Sequence, residues 1–303
     1  MSSPRITVAT NNWDHLAPLV RGEVSVEGLD LHLDRFAALT PARDDRGVQA
    51  CEQSLSQYLL YHAAGDRRWV GVPVFLMRTF RHRSFYVQRD SRLTRLPELR
   101  AKRVGISGWP DTGNTWARAA LRAANVDIQD VTWWLGPVED ASYDARGHRP
   151  SVDLPPNVHQ LADGQTLRQM LLEGELEAIV CPIDPRGVGE ADAPIRHLLV
   201  DYEDAERDYG RTLGFCPAHH LLALRRAVFE QMPWIAQALY AAFNGSHQRW
   251  LADQLAGDRQ PHGLRANAAM LRLLAAEQHA QGLSPRPIDS IAAFADFASV
   301  VET

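Results

Sequence analysis

The sequence predicts an α/β protein of two lobes, with a ligand cleft between them and a helical C-terminal region. Three observations lead there. Strand-like and helix-like segments alternate from residue 5 to about residue 200, the order of a layered α/β fold. Beyond one strand-like stretch at 218–223 the rest of the chain is amphipathic helix. A length of 303 residues corresponds to about two domains. The expected lobes are 1–88 with 200–303, and 89–199, so that 84–88 and the stretch near Val200 are the crossings. Domain interfaces and the carboxyl ends of strands are where pockets form.

In chain order, residues 5–9 read as the first strand and 10–15 as a polar turn. Leu29, Leu31 and Leu33 alternate as a second strand. Residues 53–64 fit a helix with Leu55, Tyr58, Leu59 and His62 on one face, 69–75 a buried strand, and 84–88 another. Leu96-Pro97-Glu98-Leu99 is a short capped turn. Residues 103–106 are a strand, 107–113 a turn and 114–124 an amphipathic helix, followed by a strand at 131–134. Residues 136–157, rich in Pro, Gly and charge, form an excursion. A helix at 166–173 stops at Gly174, and the strand at 177–181 stops at Pro182. The tail predicts helices over 234–243, 264–281 and 288–299.

Composition narrows the function. Hydrophobic residues make up 45% and charged residues 23%, so the chain can bury a core. The net charge of -5 offers no broad footprint for nucleic acid and no polybasic signature for a membrane surface. Cys51, Cys181 and Cys216 are too few and too scattered for a disulfide framework or a zinc ribbon, which fits a reducing compartment. With no basic and apolar leader at the start, the expected location is the cytoplasm. The amphipathic tail can pack on its own lobe or support a homodimer.

Candidate residues fall at strand ends. Asn11, Asn12, Asp14 and His15 follow the first strand, and Glu52, Ser54 and Ser56 surround the start of a helix. The densest group is Arg78-Thr79-Phe80-Arg81-His82-Arg83-Ser84, which suits bidentate binding of a carboxylate. The alternative is a solvated basic loop, against which stands the apolar sequence on both sides. Strand alternation would turn Arg81 and Arg83 one way and His82 and Ser84 the other. Ser107, Gly108, Thr112 and Gly113 could bind an anion at a helix N-terminus; the alternative is a plain cap at Thr112 or Asn114. Glu52 could equally be a helix-dipole acid. Cys181 and Asp184 follow a strand, and His219 and His220 precede an apolar run, where a lone His is more often structural. There is no HExxH or paired-Cys spacing and no GxSxG elbow, so neither a metal nor a serine nucleophile is expected.

Several collinear strings resemble the 4,5-dihydroxyphthalate decarboxylase family. They are Gly71-Val72-Pro73-Val74-Phe75 with Arg78, Phe80-Arg81-His82 and Ser84, then Lys102-Arg103-Val104-Gly105 with Thr112 and Trp116-Ala117-Arg118, and Leu154-Pro155-Pro156. Residues 170–178, Gly214-Phe215-Cys216-Pro217 through His220, Pro233-Trp234-Ile235-Ala236 and 239–243 continue the likeness, which spans roughly 5–250. The resemblance implies a type 2 periplasmic-binding-protein-like fold. It implies an enzyme of phthalate degradation that needs no cofactor and takes a small aromatic carboxylate, 4,5-dihydroxyphthalate or a close analogue. Other functions share this fold: a non-catalytic aromatic-acid binding protein, or a cytosolic lyase of the chorismate dehydratase type. The chain departs from the family pattern at Ile183, where an arginine is expected; Arg186 would compensate, or the substrate differs.

Under that reading Arg78 and Arg81 are candidate anchors for the carboxylate that stays. His82 is the candidate acid, His220 the candidate base or phenol partner, and Glu52 orients one of them. Ser84, Thr112, Ser107 and Asp184 complete the expected substrate-binding set.

Overall fold

A computed structural model describes residues 3–26, 28–36, 47–140, 152–252 and 261–301. Strand β1 (Arg5–Asn11) alternates buried Ile6, Val8 and Thr10 with more exposed neighbours, as a strand with one dry face should. The single turn α1 (Ala17–Val20) leads to β2 (Asp30–Phe36) and β3 (Ala50–Ser54). Ser54 then caps α2 (Leu55–Ala63), its hydroxyl accepting from the Gln57 N–H. Strand β4 (Trp69–Arg78) is followed by a 3-10 turn at His82–Ser84 and by β5 (Phe85–Gln88). Next come β6 (Arg103–Ile106), α3 (Thr112–Ala123), β7 (Thr132–Leu135), β8 (Val158–Gln160), α4 (Leu167–Leu172) and β9 (Ala178–Val180). The chain continues through β10 (Ile195–His197), α5 (Tyr202–Leu213), β11 (Ala218–Arg225), α6 (Arg226–Gln231), α7 (Trp234–Ala252), α8 (Leu264–Ala280) and α9 (Ala295–Val301).

These elements form two compact units: Met1–Arg78 with Ala218–Ala275 and Ile288–Thr303, and Thr79–Pro217 with Ala276–Pro287. Compared with the boundaries expected from sequence, 79–88, 200–217 and 276–287 group with the second unit. Each has a local reason. β5 pairs with β9 and β10, Glu206 of α5 binds Arg83, and Gln281 accepts from the buried Arg118.

The first unit carries a sheet in the order β2-β1-β3-β11-β4. β1, β2 and β3 are parallel, and β11 runs antiparallel to both β3 and β4. The carboxyl ends of β1, β3 and β4 and the start of β11 therefore share one sheet edge. Ile6, Val8, Val72, Val74 and Leu222 pack with Leu239 and Phe243 of α7 and Phe297 of α9 in this unit's core. The second unit carries the sheet β10-β5-β9-β6-β7-β8, with Tyr86, Leu167, Leu171 and Ile179 in its core. A Cβ on Gly105 would meet Leu167, Leu176 and Ile179 at 2.7–3.0 Å, so β6 and α4 pack closely only because that position is glycine.

Four sequence expectations change. Residues 50–54 are a strand, so Glu52 is not a helix-dipole acid. Residues 82–84 form a 3-10 turn closed by the Ser84 N–H on the Arg81 carbonyl, so strand alternation does not apply there. Arg81, His82 and Ser84 are all buried. The α3 cap is Asp111 rather than Thr112 or Asn114. The last predicted helix begins only at the 3-10 turn Ala292–Phe294. Among the described residues no helix is long and apolar enough to cross a membrane, and no disulfide links Cys51, Cys181 and Cys216, all of which are buried.

Candidate active site

The shared edge of the first unit's sheet gathers the chemistry. Glu52 of β3 is buried, and four groups donate to its carboxylate. These are the Thr10 hydroxyl at 2.8 Å, the Asn11 N–H at 2.8 Å, the Trp13 indole N–H at 3.0 Å, and His220 Nδ1 at 2.6 Å. Burial opposes the charged carboxylate, but the His220 hydrogen bond and charge, with the Asn11 and Thr10 donors, outweigh it and hold its pKa below the usual carboxylate range. A carboxylate can only accept, so the Nδ1 of His220 carries the proton. Nε2 is therefore the ring nitrogen left to exchange a proton with a ligand. The register of β11 against β4 shifts on either side of His220, where it leaves regular pairing.

Beyond Trp13 the same unit holds more imidazoles. His15 lies parallel to Trp13, with ring centroids 6.4 Å apart, and edge-on to His247 of α7 at 5.7 Å. His247 lies 4.8 Å from His262 and stacks beside Trp250 at 6.2 Å. Burial, then the neighbouring His247, lowers the His15 pKa to about 4, and burial pushes His262 well below its ordinary value. Arg78, at the end of β4, donates to Asn267 Oδ1 at 2.6 Å and to the Pro261 carbonyl at 3.2 Å, over the Phe75 ring.

The second unit holds the other candidates. Arg81 is buried and donates to the Pro182 carbonyl at 2.9 Å; burial lowers its pKa to about 10, against the pull of Asp111. His82 sets its ring edge against Tyr209 at 5.0 Å, and its buried Nδ1 has no hydrogen-bond partner among the described residues. Burial lowers its pKa, opposed by Glu206. Arg83 is tied to Glu206 at 2.6 Å. The Ser107 hydroxyl accepts from Asn114 Nδ2 at 3.1 Å. The Asp111 carboxylate caps α3 by accepting from the Asn114 N–H at 3.0 Å, and a Cβ on Gly113 would stand 3.3 Å from the Arg81 guanidinium. Ser84 and Thr112 are buried beside these elements. Asp184 accepts from the Tyr86 hydroxyl at 2.6 Å. Ile183 is 80% exposed; the Arg186 backbone N–H donates to Glu139 at 2.8 Å and its guanidinium lies 4.0 Å from the same carboxylate.

The structure thus brings Glu52 and His220 into direct contact, with Arg78 elsewhere in the same unit. Arg81, His82, Ser84, Ser107, Thr112 and Asp184 belong to the second unit. Sequence reasoning missed Thr10, Trp13, His247 and His262. The spacing Trp13-x-His15, and His247 three residues before Trp250 on one helix face, were the available signals.

Similarity to known proteins places the molecule in two steps. In fold it is similar to the alkanesulfonate-binding protein SsuA from Xanthomonas axonopodis pv. citri (TM-score 0.52, 14% identity, covering 97% of this chain and 99% of that one). It is equally similar to the Candida albicans CA3427 gene product, described as having the generic periplasmic binding protein fold (TM-score 0.52, 10% identity, 97% and 95% covered). The chain therefore has a periplasmic-binding-protein-like fold. No family model matches it. In sequence it is 29% identical to the 4,5-dihydroxyphthalate decarboxylase of Comamonas testosteroni over 94% of both chains. It is 31% identical to that of Pseudomonas putida over 71% of this chain and 84% of the relative. The chain belongs to the 4,5-dihydroxyphthalate decarboxylase family, and by class it is a carboxy-lyase.

Proposed function

We propose that the chain decarboxylates a hydroxylated aromatic carboxylate without a cofactor, 4,5-dihydroxyphthalate to protocatechuate or a close analogue. The observation that carries this reading is the buried Glu52–His220 pair at 2.6 Å. In 4,5-dihydroxyphthalate each carboxylate lies para to a hydroxyl. Removing that phenolic proton moves electron density to the ring carbon bearing the carboxylate. That carbon takes a proton, CO₂ leaves and aromaticity returns.

His220 Nε2 is the base on the phenol, and Glu52 fixes its tautomer and stabilises the imidazolium that forms. Such assistance is worth about 10²- to 10⁴-fold. His82 is assigned as the acid to ring carbon. Arg78 and Arg81 are the candidate anchors for the retained carboxylate; an arginine on the departing one would stabilise the ground state and slow the reaction. Ser84, Ser107, Thr112 and Asp184 are assigned to substrate positioning. Ile183 in place of an arginine supports an analogue that differs from 4,5-dihydroxyphthalate near one carboxylate. Buried thiols without disulfides fit a cytoplasmic enzyme.

The test is CO₂ release from 4,5-dihydroxyphthalate and a panel of hydroxylated benzoates, by the native chain and by His82→Ala. The reading expects release by the native chain and a loss of turnover with binding largely kept in the variant. No release from any member, with thermal stabilisation by an aromatic acid, would overturn it in favour of a binding protein.

A further inference from the structure

Three imidazoles of the first unit, His15 in the turn after β1, His247 on α7 and His262 before α8, have no part in the chemistry above. We propose that His15, His247 and His262 form a hydroxyl-binding subsite, in which the Nε2–H of His262 donates to a phenolic oxygen of the substrate ring. The inference rests on the decarboxylase reading and names what that site recognises.

The tautomer of His262 follows from one hydrogen bond. The Phe75 backbone N–H donates to His262 Nδ1 at 3.1 Å. With that lone pair engaged, the neutral ring carries its proton on Nε2. That N–H is buried and has no acceptor among the described residues, and His15 Nε2 is buried without a partner as well. A buried donor without an acceptor is costly, so the pattern marks a place where a ligand oxygen belongs. A metal ion fits less well. Coordination at Nε2 would require the His262 ring to give up its remaining proton, and no group of three His, Cys, Asp or Glu among the described residues has the arrangement to hold one.

The electrostatics favour a hydroxyl that becomes a phenolate. Burial keeps His15 and His262 neutral. Neutral imidazoles donate hydrogen bonds to a developing oxyanion without handing it a whole proton, so they stabilise the electron-rich ring that decarboxylation needs. Arg78, which helps press the His262 pKa down, adds a positive field beside them. The subsite is continuous with the proposed base: Trp13 donates to Glu52 and lies parallel to His15. Trp13 and Trp250 flank the imidazoles with indole surface suited to an aromatic ring.

The experiment compares binding of phthalate, 4-hydroxyphthalate and 4,5-dihydroxyphthalate to the full chain and to His262→Asn, by titration calorimetry. Asparagine keeps an acceptor for the Phe75 N–H and removes the Nε2–H donor. The native chain is expected to prefer the dihydroxylated ring by at least about tenfold, since a site built to hydrogen-bond a hydroxyl rejects analogues lacking it. His262→Asn is expected to bring that preference within about threefold while phthalate affinity stays unchanged; His15→Asn should act in the same direction. An unchanged preference in both variants, or equal weakening towards all three ligands, would overturn the subsite. CO₂ release with an unchanged preference sinks the subsite alone. A preference that is present, and lost in His262→Asn, without any CO₂ release sinks the decarboxylase reading and leaves the subsite standing.

Discussion

Four protein groups donate to the Glu52 carboxylate. Its charge and the Nδ1 proton of His220 hold each other in place. Glu52→Gln keeps the shape but turns an amide NH₂ toward groups that are themselves donors. The expected outcome is a fall in kcat of about 10²- to 10⁴-fold with the circular dichroism spectrum retained; activity within threefold of native would remove Glu52 from the mechanism. Nearby, His15 makes the opposite electrostatic contribution. Its pKa in the folded protein, about 4, lies below the ordinary 6.5, so between those values the unfolded chain binds the extra proton. Its neutral form in the fold therefore contributes stability in full above about pH 6.5 and loses it as the pH falls through about 4. Each tenfold change in acidity is about 1.4 kcal/mol, so His15 alone accounts for roughly 3 kcal/mol over that window. Urea denaturation between pH 7 and 4 should show the loss, and His15→Asn should flatten it.

At the scale of elements, α2 and β4 lock through one hydroxyl. Tyr58 accepts from the Gly71 N–H at 2.8 Å and donates to the Ala293 carbonyl at 2.6 Å. A Cβ on Gly71 would stand 2.7 Å from that hydroxyl and 2.9 Å from Phe294. Gly71→Ala should therefore destabilise by about 1–3 kcal/mol, the usual cost of overpacking a core; an unchanged urea midpoint would contradict this account. Several elements were legible in the sequence: β1 and β2 by alternation, β4 by its continuous apolar run and α3 by its apolar stripe. Helix α5 was not read: Tyr202, Ala205, Tyr209 and Leu213 recur at helical spacing, but charged residues dominate the segment and its buried residue is the acid Glu206. Strand β3 was hidden for a related reason. Four consecutive residues are buried, Glu52 and Gln53 among them; a strand covered on both faces is recognised by a continuous apolar run, and these two polar residues interrupt it.

At the scale of the whole molecule, each unit assembles its sheet from segments distant in sequence. β11 joins β3 and β4 across more than a hundred residues, and that pairing brings His220 to Glu52, 168 residues away. If catalysis rests on carboxylate, imidazole and guanidinium groups, chelation should not touch it. Activity is expected to persist within about twofold after exhaustive treatment with a strong chelator, measured as CO₂ release; loss restored by one added divalent metal would overturn the cofactor-independent reading.

The sequence by itself determined the α/β class, most strands and helices, the family, and the residue types at strand ends. Local periodicity and short collinear motifs encode these, because they depend on near neighbours in the chain. Tertiary structure alone decided which groups meet. It made Glu52 a strand residue bound to His220, and it set His15 beside Trp13 with His247 and His262 following in a chain of ring contacts. Those contacts arise from strand order and helix packing across long chain separations, where burial and hydrogen-bond satisfaction choose the partners and no local pattern records the choice.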